Sequence, residues 1–411
     1  MNIDVNLEYY PKITNKILEK SINKINENKS KWDTPFFIDT KTYLDLEKIR
    51  EVSQSFIDNR IKNVIILGTG GSIQSFLALK HLSNKIIYPL TSSRSVELKQ
   101  CLDETKPEDS VVIPISRGGE TLDVNSVIGI FLNKGYNFLG LSSKGTMYDM
   151  LKKINCPILD VPDLSGRFAG SISNVGIVPA YLAGIKVNDF LIGLDEGYQI
   201  FMNFKNNPAL EFSSFLYSLY NLGYKVAFSM PYSINLEGSV GLFVQEISES
   251  SGKNDIGLMG AYQSAPLCQH SVLEYLLGGY KGVVIPILWS LNNEVPDMSL
   301  VSSIDYINGQ SSNTIVNYQA DATFQALIEQ NIPCAKLLLD FPNERNIGNL
   351  IAFIQSTIYY LCLLLDVNWA NNPKVVIGKK ICNEALKNKA TLDQRIKDRE
   401  RIANKIFSDF F

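Results

Sequence analysis

The sequence predicts an α/β protein made of two doubly wound parallel-sheet domains, each an α-β-α sandwich, followed by a C-terminal helix. Three observations lead there. From about residue 41, short apolar runs alternate with helix-length segments, the pattern of βα units around a parallel sheet. Each run stops at small residues, as buried parallel strands do. The alternation also occurs twice, on either side of an irregular stretch between about Gly184 and Glu211.

Residues 1–40 are expected to form an N-terminal helical segment. The first domain, 41–190, opens with the strand NVIIL (Asn63 to Leu67), the loop GTGGS and a helix reaching Leu82. The strand runs KIIYPL, SVVIPIS and NFLGLSS follow, and the apolar helix SISNVGIVPAYLAG (Ser171 to Gly184) closes the unit. The boundary falls in the stretch holding DEGYQ and the breaker-rich FKNNPALE. In the second domain, 191–383, YKVAFSM, GVVIPIL and CAKLLLD read as strands, while LEGSVGLFVQEIS and ATFQALIEQ read as helices. A long helix from about Ile347 to Leu365 follows. Its apolar run, Leu350 to Leu365, is interrupted by Gln355, Ser356 and Thr357 and is shorter than the roughly 20 residues a membrane helix needs, so it reads as a core helix. The last segment, 384–411, is dense in charge, and Leu386, Leu392, Ile396 and Phe407 suit docking on the body or on a partner subunit better than nucleic-acid binding.

Composition narrows the function. A chain of 411 residues, 45% hydrophobic and 20% charged, has the apolar material for large cores, which excludes disorder. Its 39 Lys plus Arg against 42 Asp plus Glu leave a net charge of -3, so no global field draws it to nucleic acid or an anionic membrane. The six cysteines form no CxxC pair, which suits free thiols in a reducing compartment. The N-terminus is acidic and aromatic where a signal peptide would be basic and then apolar, so a cytoplasmic location is expected.

Two loops carry the chemistry. In Gly68-Thr69-Gly70-Gly71-Ser72, between a buried strand and a helix, backbone amides and the helix dipole suit an anion such as phosphate. A dinucleotide loop would need a third glycine at Ile73 and an acid about 20 residues on, where the chain has Thr91, Ser92 and Ser93. A tight βα turn without a ligand would look the same. The second loop, Ser116-Arg117-Gly118-Gly119-Glu120-Thr121, follows the strand VVIPI and brings hydroxyls, amides and a guanidinium to the same sheet edge. Arg117 alternatively reads as a surface ion-pair residue. With no metal-ligand cluster in the sequence, these loops point to a phosphorylated small molecule held by hydroxyls and amides, without metal or cofactor.

In order, GTGGS, SRGGET, SGRFAG, ESSGK, QHS and NNPKVVIGK resemble the motifs of the glucose-6-phosphate isomerases, within the tandem sugar-isomerase (SIS) domain proteins, over roughly residues 60 to 380. The resemblance implies two SIS-type domains and metal-independent interconversion of glucose 6-phosphate and fructose 6-phosphate. After ring opening, a proton moves between the first two sugar carbons through a cis-enediol, in glycolysis and gluconeogenesis. It assigns Glu249 as the proton-transfer base, His270 as the ring-opening histidine, Lys379 as its partner and Arg167 as the cation that stabilises the enediolate. Substrate contacts are implied for Gly71, Ser72, Ser116, Arg117, Gly118, Thr121, Gln245 and Asn372. Gln245 would lie one helical turn from Glu249 on the same face.

The chain departs from the family pattern where Gly118 replaces a usual serine or threonine, Glu120 a frequent threonine, and Asn372 a glutamine. Lys380 beside Lys379 leaves that assignment open by one residue. Of the two histidines, His81 is expected to be structural, and a Cys268–His270 nucleophile pair is disfavoured because residues two apart seldom face each other. The resemblance also implies a homodimer with His270 shared across the interface. Two alternatives remain: an SIS isomerase for mannose 6-phosphate or an amino-sugar phosphate, and a non-catalytic sugar-phosphate sensor.

Overall fold

The chain enters its fold as a strand. A computed structural model describes residues 5–33, 35, 44–57, 60–161 and 168–408. In it Val5–Tyr10 forms β1, where a helical segment was expected, and α1 (Asn15–Asn28) follows under a Thr14 cap. VNLEYY gives no local hint of its partner, because β1 pairs antiparallel with the last strand of the molecule. Next comes α2 (Leu46–Ser53).

The first sheet is built by β2 (Asn63–Leu67), α3 (Gly71–Leu77), β3 (Ile86–Leu90), α4 (Ser95–Glu104), β4 (Ser110–Pro114), α5 (Leu122–Asn133) and β5 (Asn137–Phe138). Its strands run parallel in the order β3-β2-β4-β5, so the winding reverses between β2 and β4. NFLGLSS divides: after β5 the chain shifts to β6 (Gly140–Leu141), which pairs beyond α6 (Thr146–Lys153) with β7 (Ile158–Leu159).

The apolar segment after Ser171 is a short 3-10 turn, Phe168–Ile172, and α7 (Asn174–Leu182). Most of the stretch expected to be irregular is α8 (Val187–Phe201), and only its breaker-rich end, residues 202–207, is irregular before α9 (Pro208–Asn221). A Cβ at Gly193 would stand 1.9 Å from the Arg345 carbonyl oxygen, and one at Gly197, within DEGYQ, 2.6 Å from the Ala352 Cβ. Both glycines exist so that α8 can press against the long core helix.

The second sheet uses β8 (Val226–Pro231), α10 (Ile234–Ser251), β9 (Met259–Tyr262), α11 (Val272–Gly278), β10 (Val284–Leu291), α12 (Ser312–Glu329) and β11 (Cys334–Leu339). Its order is β1-β11-β10-β8-β9, parallel except for β1. The core helix is α13 (Glu344–Leu365), long and apolar enough to cross a membrane but packed by protein along its whole apolar window.

Side-chain alternation divides the interior into layers. Val64, Ile66, Val111 and Ile113 from the first sheet and Ile285, Ile287 and Leu337 from the second face one shared core with α7, α8, α9, α10 and α13. Ile65, Leu67 and Val112 face outward to α4, α5 and α6. Met230, Leu288 and Cys334 face α11 and α12. Both sheets thus belong to one compact unit, 1–370. A second unit, 371–411, holds α14 (Val376–Lys387) and α15 (Lys389–Ser408), two helices where one was expected, joined by an Arg395–Glu384 ion pair at 2.7 Å.

Candidate active site

The two glycine-containing loops leave adjacent parallel strands at the carboxyl edge of the first sheet. The Ile115 amide donates to Leu67 O at 2.8 Å, which holds the loop ends side by side at the point where the winding reverses. That crevice is where α/β sheets bind ligands. Gly70 has φ +59, a left-handed conformation costly for other residues, and it turns the chain so that Gly71 and Ser72 open α3. Their amides have no acceptor within the helix. Ser72 locks the turn, its hydroxyl donating to Thr69 O at 2.7 Å and accepting from the Thr69 amide at 3.1 Å.

In the second loop the Ser116 and Thr121 hydroxyls lie 2.8 Å apart, and Ser142 Oγ donates to Ser116 O at 2.7 Å. Gly119 has φ +70, and a Cβ there would stand 2.2 Å from Lys144 O, so only glycine fits. Gly118 has open space about its Cβ position, and Arg117 is exposed. Glu120, a departure from the family pattern, has a local use: its Oε1 accepts from the Thr146 amide at 2.8 Å and the Thr146 hydroxyl at 2.7 Å, capping α6 from another segment. Those bonds hold its carboxyl below the usual range.

Helix α10 brings the remaining groups to this edge. It crosses α3 antiparallel at contact distance, because a Cβ at Gly238 would meet Leu77 O at 2.0 Å and one at Gly241 would meet Gln74 Nε2 at 2.3 Å. One turn further, Gln245 Nε2 lies 3.7 Å from where a Gly70 Cβ would be. Each turn forward on α10 is thus a turn back on α3, and Glu249, half-buried, falls beyond the start of α3 over the crevice. The buried Gln245 Nε2 has no hydrogen-bond partner among the described residues, a donor awaiting an acceptor. Lys253 donates to the carbonyls of Glu249, at 2.9 Å, and Ser250, closing the end of α10.

His270 lies elsewhere. It ends a 3-10 turn after β9 and is exposed. Gln269 pins that turn, donating to Tyr232 OH at 3.0 Å, Gln319 O at 3.1 Å and Thr323 Oγ1. Tyr232 directly follows β8, so the histidine belongs to the start of α10, roughly 20 Å along that helix from Glu249. Within one chain, the turn that ends in His270 is tied through Gln269 to Tyr232, ahead of α10, whereas Glu249 lies near that helix's other end. Gln269, read in the sequence only as a motif letter, is the anchor of this turn. Its partners on α12, some 50 residues away, left no local signal. His81 is half-buried with Nε2 3.2 Å from Pro342 O, and burial lowers its pKa, as befits a structural residue. Arg167 lies outside the described residues, two turns of sequence before Asn174 opens α7. Lys379 is exposed near the start of α14, and Asn372 precedes that helix, both in the second unit.

Two mostly parallel sheets, with glycine-containing loops at the switch point of the first, define an α/β fold whose crevice suits a small anionic ligand. No family model matches the chain. A glucose-6-phosphate isomerase of Methanocaldococcus jannaschii is 27% identical over 349 residues, covering 80% of this chain and 85% of that protein. One from Campylobacter jejuni subsp. jejuni is 24% identical over 392 residues, covering 89% and 95%. In three dimensions the chain resembles the crystal structure of a glucose-6-phosphate isomerase from Chlamydia trachomatis, with a TM-score of 0.80 at 17% identity over 99% of this chain and 92% of that one.

Proposed function

We propose that the protein is a glucose-6-phosphate isomerase, reversibly converting glucose 6-phosphate and fructose 6-phosphate. The observation that best supports this reading is the passage of α10 over the first glycine loop, with Gln245 beside Gly70 and Glu249 one turn further along the same helix. Relatives that carry this name along most of their length support it.

In this reading the phosphate sits against the Gly71 and Ser72 amides and the Ser116 and Thr121 hydroxyls, with Arg117 at the rim. His270 and Lys379 open the sugar ring: a proton is given to the ring oxygen as its bond to the anomeric carbon breaks, and the anomeric hydroxyl gives up its proton to become the carbonyl. Glu249 then takes the proton from the second carbon and returns it to the first, while electrons shift through a cis-enediolate whose oxygen charge Arg167 offsets. Gln245 holds a sugar hydroxyl, and Asn372 offers a shorter amide than the family glutamine. No step needs a metal ion. The separation of His270 from Glu249 within the chain favours a homodimer in which the partner subunit supplies the histidine.

A coupled assay of fructose 6-phosphate conversion, run with a chelator, tests this. Turnover that survives chelation and falls at least about 100-fold in Glu249→Gln is expected, since a placed base contributes roughly 10² to 10⁴ in rate. Folded protein without turnover, stabilised by glucose 6-phosphate, would instead identify a sensor.

A further inference from the structure

Beside the face that carries Gln245 and Glu249, α10 buries a second carboxylate. Glu246 follows Gln245 directly and precedes Glu249 by three residues, and its side chain is fully buried, 0% exposed. Burying a carboxylate is costly unless hydrogen bonds hold it. Gln355, at the middle of α13 and equally buried, donates Nε2 to Glu246 Oε1 at 3.1 Å and to Ser171 Oγ at 2.9 Å. Its own carbonyl accepts from the hydroxyl of Tyr198 on α8. Ser171 in turn lies 3.5 Å from Ser75 on α3. Five elements therefore meet at one polar cluster inside an otherwise apolar core: α3, which begins in the first glycine loop; α10, which bears Gln245 and Glu249; the Phe168–Ile172 turn; α8; and α13.

We infer that Glu246 is a positioning residue for the isomerisation, fixing through Gln355 and Ser171 the angle at which α10 presents Gln245 and Glu249 over the glycine loop. The inference rests on the function proposed above. A carboxylate is acceptor-only, so it forces Gln355 to turn its amino group toward α10 and Ser171 and its carbonyl toward Tyr198. An apolar side chain at 246 leaves the Gln355 amide free to reverse and unties α10 from the Phe168–Ile172 turn. The stretch that ends in Arg167 leads directly into that turn. Displacing a reacting group by about 1 Å costs up to about 100-fold in rate while leaving substrate binding largely intact.

The test compares steady-state kinetics of the full-length wild type, Glu246→Leu, Glu246→Gln and the milder Ser171→Ala, with thermal melting to confirm folding. Glu246→Leu is expected to lower kcat at least about tenfold with KM within about twofold, and Ser171→Ala to lower kcat about threefold. Glu246→Gln, which can still accept from Gln355, should stay within about threefold of wild type. If Glu246→Leu does not fold, Ser171→Ala decides. The inference is overturned if the folded variants keep wild-type kcat, if the loss lies in KM, or if Glu246→Gln is as damaged as Glu246→Leu. Absence of turnover in the wild type would instead sink the proposed function, and this inference with it.

Discussion

At Gly118 the phosphate loop has room it does not use. A Cβ there meets nothing within 4 Å, and the backbone does not need glycine, in contrast to Gly119 one residue on. Gly118→Ser should therefore fit without strain and add one hydroxyl donor beside Ser116 and Thr121. A charge-assisted bond to phosphate predicts a KM for the sugar phosphate lowered by roughly threefold to tenfold at unchanged kcat. An unchanged KM would mean the phosphate does not rest on this loop. The placement of Gln245 and Glu249 on one helix was legible from their short spacing: four apart, they share α10. Glu246, between them, was not legible, because its partner Gln355 lies 109 residues away. Gln355 itself was read only as an interruption of an apolar run.

The helices show a similar division. α10 and α13 were legible from periodicity and apolar length, whereas α8 was lost because Gly193 and Gly197 serve contact with α13 rather than helix termination. α6 depends on a cap that no local pattern announces. Its N-cap residue, Gly145, has no side chain to offer, and Glu120 supplies the acceptor from 26 residues upstream. Because these bonds depress the Glu120 pKa, the stabilisation is complete above its unfolded value, about 4.3, and is lost as pH falls through the lower folded value. Amide chemical shifts of Thr146 and Met147 should hold steady from pH 7 to about 5 and move together below about pH 4. In Glu120→Gln, which accepts without titrating, that movement should vanish. If it persists, the α6 start is titrating with some other group.

For the whole molecule, the repeated strand–loop–helix pattern made two parallel sheets legible, but their merging around one continuous core was not, since it depends on contacts between helices far apart in the chain. Glu249 lies near the end of α10 while the turn bearing His270 is tied to Tyr232 ahead of that helix, and the proposed dimer that exchanges histidines has a distinctive arithmetic. A mixed dimer of one Glu249→Gln subunit and one His270→Ala subunit contains one site with both defects and one with neither. It should recover about half of wild-type activity, although each parent homodimer is inactive. No recovery in a verified mixed dimer would mean that each chain completes its own site. The edge strand β1 has a further consequence, for the order in which the protein is made. The Tyr10 hydroxyl bonds to Asn331, 321 residues further along, and among the described residues β1 pairs only with β11. At roughly 5–20 residues per second of translation, the first strand to leave the ribosome waits tens of seconds for its partner. The first sheet, complete by Phe138, can form during that wait. The second is covered at its β11 edge only once β11 has been made and β1, some 320 residues upstream, returns to pair with it.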